Sequence, residues 1–124
     1  MGWKKISITT LWLDADDYPV LLSICDLGIC LHYSSSGLDL PMKVVDMFGA
    51  GIPVLAVNFP ALPELVRDQH NGFVFESREG LAEGLLEISG NSKQLGLLRG
   101  AAQKESKHTW AQEWRSKFPA ELLI

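Results

Sequence analysis

Ser34-Ser35-Ser36-Gly37-Leu38-Asp39-Leu40-Pro41-Met42-Lys43-Val44-Val45-Asp46-Met47-Phe48-Gly49-Ala50-Gly51-Ile52-Pro53-Val54 reads as a small-residue loop, a helix and the start of a strand. Gly37 lets the backbone of the loop come close to a ligand, and Pro41 suits the first turn of a helix, where a missing N–H costs nothing. The free N–H groups of that turn and the helix dipole form an anion site, and the diphosphate of a sugar nucleotide fits it. A cation gains nothing from the dipole at Lys43, but it can neutralise a phosphate there. Asp46 shares a face with Lys43 at i+3, where a carboxylate can accept hydrogen bonds from both hydroxyls of a ribose. A plainer reading stands beside this one: a simple loop, and a Lys43–Asp46 surface ion pair worth about 0.2–0.5 kcal/mol.

Outward from this stretch, short apolar runs alternate with amphipathic ones, the pattern of an α/β protein with a parallel sheet. Residues 6–13 are rich in β-branched side chains and are expected to form a strand. Asp14, Asp16 and Asp17 offer N-cap oxygens to a helix reaching about Cys25, with Pro19 in its first turn. Residues 27–31 and 54–57 are apolar runs suited to strands buried on both faces. A loop from Asn58 to Pro63 leads to a helical turn at Glu64-Leu65-Val66, and Asn71-Gly72 turns into a strand over residues 73–75. Ser77 caps a helix over residues 78–89, Ser92 caps another to about Lys107, and Thr109-Trp110-Ala111-Gln112 has capping-box form. Right-handed crossovers put helices on both faces of the sheet. Ligands in such sheets bind outside the carboxyl ends of the strands, which directs attention to the loops after Leu31 and Val57.

The 124 residues suit one domain, with ordinary apolar and charged fractions of 47% and 21%. The net charge of −4 is uneven: residues 1–92 hold five Lys/Arg and twelve Asp/Glu, whereas residues 93–124 hold six and three. An acidic body argues against nucleic acid as a partner, and the basic tail reads as solvated helix faces. Cys25 and Cys30 lie among apolar residues without metal-ligand spacing, and are expected as buried thiols of a reducing compartment. No metal ligand set is apparent. No signal peptide is visible after Met1, and no apolar run approaches the roughly 18 residues of a membrane span.

Other polar residues at the same sheet edge are candidates with two readings each. His32 either contacts a ligand, as a base oriented by a carboxylate or carbonyl, or packs the loop. Asn58 and Glu64 lie where they can touch a nucleotide. Asp39 either binds sugar hydroxyls or caps the Pro41 helix. Phe59 either closes a pocket or joins the core. His70 and His108 read as surface residues, and Trp110 and Trp114, at i+4, are expected to pack a helix onto the body.

Gly37-Leu38-Asp39-Leu40-Pro41-Met42-Lys43-Val44-Val45-Asp46-Met47-Phe48-Gly49 resembles the signature of the chitobiosyldiphosphodolichol β-mannosyltransferases. The flanks agree in order: Trp12-Leu13-Asp14-Ala15-Asp16-Asp17-Tyr18-Pro19, Asp26-Leu27-Gly28-Ile29-Cys30-Leu31-His32, Pro53-Val54-Leu55-Ala56-Val57-Asn58-Phe59, Glu64-Leu65-Val66 and Asn71-Gly72-Phe73-Val74-Phe75. The likeness runs closely over residues 6–88 and more loosely over the Trp110/Trp114 helix. It implies the C-terminal half of a GT-B glycosyltransferase, a partial Rossmann-like parallel sheet with flanking helices. Residues 1–124 are then a single, incomplete nucleotide-sugar-binding domain, with residues 92–124 as terminal helices.

The resemblance further implies GDP-mannose as donor, no cofactor, and transfer to a lipid-linked chitobiose at the cytosolic face of the endoplasmic reticulum. By position Asp46 matches the acidic residue that meets the donor ribose, and Gly37, Leu38 and Asp39 match the loop beside the diphosphate and sugar. Retaining GT-B enzymes carry a second acidic residue eight positions earlier. Here that position is Leu38, a departure that fits inversion. The acceptor site, the catalytic base, the membrane anchor and the first strands of the domain are expected outside this chain, leaving a sheet edge uncovered and the chain inactive alone. Two other readings remain at this stage: a truncated, non-catalytic paralogue that binds other glycosylation enzymes, and a GT-B enzyme for another nucleotide sugar.

Overall fold

The structure, a computed structural model, describes residues 5–118 and Ala120. The expectations for residues 1–4 and for the last four residues lie outside the described part. The chain runs α1 (Asp17–Ser23), β1 (Gly28–Cys30), α2 (Met42–Gly49), β2 (Val54–Val57), a 3-10 turn (Leu62–Glu64), β3 (Gly72–Phe75), α3 (Arg78–Ser89), α4 (Ser92–Glu105) and α5 (Trp110–Lys117).

The three strands form a parallel sheet in the order β1-β2-β3. The central strand is apolar throughout because helices cover both of its faces. On one face Cys30, Val54 and Ala56 pack with Val44, Met47 and Phe48 of α2 and Ala102 of α4. On the other, Leu55, Phe73 and Phe75 pack with Ile88 of α3 and Leu98 of α4. The period-2 alternation of the strand thus sorts neighbouring residues of β2 into two separate clusters. Arg99 of α4 donates to the Cys25 carbonyl at 2.8 Å, tying that helix to the turn before β1. Gly51, at φ +73°, takes the left-handed conformation that ends α2 and turns the chain into β2.

Four local expectations need correction. Residues 6–13 form no strand: they pair with none of the three strands, and Trp12 is 99% exposed. A β-branched pattern stabilises a strand only beside a partner ladder, and none of the described strands lies there. Among the described residues the outer edge of β1 is unpaired. Asp16 occupies the N-cap of α1 but makes no side-chain cap, and the Asp14 carbonyl accepts from the Asp17 and Tyr18 N–H groups instead. The cap of α4 is Asn91, accepting from the Gln94 N–H, rather than Ser92. The helical turn expected from Glu64 begins earlier, at Leu62, where Pro63 fixes the backbone for a tight turn.

Helix α5 has its capping box, with Thr109 and Gln112 bonded reciprocally. It buries no residue, so the expectation that Trp110 and Trp114 dock it onto the body fails. The two indoles stack on each other at 5.0 Å, and Phe118 extends the stack from Trp114 at 3.7 Å. The i/i+4 spacing is satisfied within the helix. Cys30 is buried as expected, whereas Cys25 is half-buried and donates its thiol to the Leu21 carbonyl; neither forms a disulfide.

Candidate functional site

The carboxyl ends of β1 and β2 open into two loops. The first carries His32, Ser34, Ser36, Gly37 and Asp39 down to the start of α2, and the second carries Asn58 and Phe59. Ser34 is 2% exposed. Its hydroxyl oxygen accepts the Gly37 N–H at 2.9 Å, and the Ser36 oxygen accepts the Leu38 N–H at 3.3 Å. Both hydroxyls turn toward Oδ1 of Asp39, while Oδ2 of Asp39 meets Nε2 of His32 at 2.9 Å. Hydrogen bonding from Ser34 first, then from His32, holds the Asp39 carboxyl below the usual carboxylate range.

Asp39 therefore organises its own loop. It does not cap α2, whose N-cap is Pro41 without a side-chain bond. Gly37 has φ +75°, a conformation that glycine adopts without a Cβ penalty. Its carbonyl accepts the Ala61 N–H at 3.1 Å, joining the two loops. Phe59 is 3% exposed and belongs to the core, yet its ring also meets His32 and Tyr33 edge-on at 6.2 and 6.1 Å.

The remaining candidates fall around this loop in separate cavities. Lys43 lines a depression of about 280 Å³ with His32, Asp39, Leu40, Pro41 and Met42. Asp46 lines a cavity of about 500 Å³ between α1 and α2, with Tyr18, Pro19, Leu22, Val45 and Ala50 among its walls. Lys43 and Asp46 thus serve adjacent cavities, and no ion pair joins them among the described residues. Leu38 is exposed in the loop. Asn58 lines a third cavity, of about 540 Å³, with Tyr33, Phe59 and Glu76, and donates to Glu76 at 3.1 Å. Glu64 is exposed at the end of the 3-10 turn and lines none of these three cavities.

Tyr18 was not singled out from the sequence. Burial, then the negative charge of Asp46 and a hydrogen bond to it, push its hydroxyl above the ordinary tyrosine value. The only sequence signal for it is its place in Asp16-Asp17-Tyr18-Pro19, because its link to Asp46 crosses two helices. Glu76, the partner of Asn58, was equally hidden, at a separation of 18 residues. Among the described residues no group of three or more His, Cys, Asp or Glu gathers in a way that could hold a metal ion. No helix among them is long and apolar enough to cross a membrane.

The chain is 45% identical over 98% of its length to the chitobiosyldiphosphodolichol beta-mannosyltransferase of Kluyveromyces lactis, covering 27% of that protein. To the human protein of the same name it is 48% identical over 90% of its length, covering 25%. It is also 50% identical, over 92% of its length, to the Arabidopsis thaliana protein named UDP-glycosyltransferase TURAN, covering 26% of it. The chain therefore spans about a quarter of the length of these curated relatives. Among solved structures, the C-terminal domain of a glycosyl transferase group 1 family protein from Francisella tularensis superposes with a TM-score of 0.60 at 16% identity. That match covers 90% of this chain and 53% of the other, and shows a shared fold. The family model described as glycosyl transferases group 1 matches residues 4–105, and the chain belongs to that family.

Proposed function

We propose that this chain is the donor-binding part of an inverting mannosyltransferase that moves mannose from GDP-mannose to dolichyl-diphosphate chitobiose, forming a β-1,4 bond. The observation that carries this is identity of 45–48% over at least nine tenths of the chain to relatives that bear that enzyme's name. In this reading the Ser36–Asp39 loop and Lys43 lie along the diphosphate, and the Asp46 carboxylate takes the ribose hydroxyls. His32, Asn58 and Glu64 are the polar groups next in reach of the donor, His32 the nearest to the loop. The acceptor site and the base that deprotonates the acceptor hydroxyl belong to the part of the relatives that this chain does not span. The enzyme works at the cytosolic face of the endoplasmic reticulum membrane, where the lipid-linked acceptor is held. The donor is a substrate, and no cofactor is required.

Calorimetric titration of the chain with GDP, with UDP, and of an Asp46→Ala variant with GDP tests the reading. Saturable GDP binding that the variant loses and that UDP does not match supports it. UDP is the informative competitor because one relative carries a UDP-glycosyltransferase name. Preference for UDP would replace GDP-mannose with a UDP-sugar, and absence of any binding by the folded chain would overturn an autonomous donor site.

A further inference from the structure

We propose that Asp39 is a positioning residue that fixes His32 as a hydrogen-bond donor to the diphosphate of the nucleotide sugar, so that His32 and Lys43 grip the diphosphate together. This rests on the donor-site reading above and gives the site a charge that depends on pH.

The geometry assigns the two residues different tasks. Both carboxylate oxygens of Asp39 already have partners within the loop: Oδ1 faces the hydroxyls of Ser34 and Ser36, and Oδ2 faces His32 Nε2 at 2.9 Å. Ser34 is itself buried and fixed by the Gly37 N–H, so Oδ1 is anchored and Oδ2 has a set position. An ionised carboxylate only accepts hydrogen bonds, so the proton between the pair sits on Nε2. Nδ1 of His32 is left without a partner among the described residues. Protonated there, the ring becomes a cation with one N–H on Asp39 and the second directed elsewhere, the arrangement by which a carboxylate orients a functional imidazole.

The surroundings suit an anion. The groups facing His32 are Asp39 from its own loop, Lys43 from α2 across the shared depression of about 280 Å³, and the ring edge of Phe59 from the loop after β2. The Phe59 contact is T-shaped, with the ring planes 86° apart, which sets the imidazole plane from a second side. The single negative group in that depression is already engaged by three donors. An incoming phosphate therefore meets Lys43 and the free edge of His32, and forms charge-assisted hydrogen bonds with both. No covalent bond is made to His32, and its proton stays on nitrogen.

The test is calorimetry on the whole chain with GDP-mannose and, separately, guanosine, at about pH 6 and about pH 8, the interval in which a histidine side chain can change its charge. Both phosphates of GDP-mannose are substituted, so its charge is constant across this interval and only the protein titrates. GDP-mannose should bind more tightly at the lower pH, while guanosine, lacking phosphates, shows no change. His32→Gln and Asp39→Asn should each abolish the pH increment, Asp39→Glu should restore part of it, and Lys43→Met should weaken binding at both pH values while keeping the increment. Circular dichroism confirms that each variant is folded. An increment that survives in His32→Gln or in Asp39→Asn, or that is absent from the unsubstituted chain while GDP-mannose binds, overturns this proposal and leaves the donor-site reading standing. Failure of GDP-mannose and guanosine to bind at either pH overturns both.

Discussion

Gly37 and Ala61 connect the loops that leave β1 and β2: the Ala61 N–H donates to the Gly37 carbonyl at 3.1 Å. The bond depends on the left-handed backbone of Gly37, and a Cβ there would also sit 3.4 Å from Pro60 Cγ. Gly37→Ala should cost about 1–2 kcal/mol in urea unfolding. Donor affinity should fall by more than the unfolded fraction explains, because the Ser34 and Ser36 oxygens are positioned through the same loop. Unchanged affinity in a folded variant would show that the loop can re-form without the left-handed turn.

Tyr18 and Asp46 face each other across the cavity between α1 and α2. The raised Tyr18 value predicts that Asp46→Asn lowers one of the chain's two tyrosine ionisations in an absorbance titration, and that Tyr18→Phe removes the same step. Burial, the larger cause, persists in Asp46→Asn, so the shift should be partial. The sign for stability follows from the folded form holding its proton longer. The contribution is intact below the unfolded tyrosine value of about 10 and is lost as pH rises from there through the folded value. A titration identical in native and Asp46→Asn chains would mean that burial alone raises Tyr18.

How far the sequence revealed this arrangement depends on the range of each interaction. α2, β2 and α3 were readable because each is specified by its own apolar run, cap or glycine: the helix expected between Pro41 and Gly51 spans Met42–Gly49, whereas β1 was readable in its place but not in its burial, since Ile29 and Leu31 are exposed rather than covered on both faces. Residues 6–13 misled because strand propensity is realised only beside a neighbour, and Trp110/Trp114 misled because i/i+4 spacing serves a stack along one helix as well as a buried face. At the site, the residue types around Gly37 were legible, but their partition was not. That Asp39 turns inward to His32 and Ser34, while Asp46 turns to Tyr18, is decided by side-chain geometry across loops and helices.

The outer edge of β1 is unpaired among the described residues, and residues 6–13 separately expose apolar side chains, including Ile8 and Trp12. Open parallel edges with apolar neighbours template association. Light scattering should show concentration-dependent self-association of the chain, reduced by Ile29→Lys, which puts a charge on a half-exposed edge position. If Ile29→Lys associates as strongly as the native chain, association runs through another surface, and the residues 6–13 segment is the next to substitute.

Asn71 is fully buried and ties the segment before β3 to α4. Its carbonyl oxygen accepts the Arg67 N–H at 2.8 Å, and its amide donates to the Leu65 carbonyl at 3.1 Å and to Glu105 of α4 at 3.3 Å. Asn71→Ala leaves these groups without their partner in the interior, which should cost about 2–4 kcal/mol in urea unfolding. Asn71→Asp keeps the acceptor but sets a carboxylate against Glu105, so it should be at least as damaging near neutral pH and recover as the pH is lowered and carboxylates protonate.

Helix α5 supplies the contrasting case. Its aromatic stack is internal to the helix, and none of its residues is buried. Trp114→Ala removes the middle ring of the stack, the one touching both Trp110 and Phe118, yet opens no cavity in either core cluster. The expected result is separation of two observables. The exciton signal of the stacked indoles in circular dichroism should disappear and hydrogen exchange over residues 110–117 should quicken, while the urea midpoint of the sheet-centred core moves by less than about 0.5 kcal/mol in free energy. A loss of several kcal/mol in global stability would show instead that Trp114 supports the core, and that α5 folds onto the body in solution.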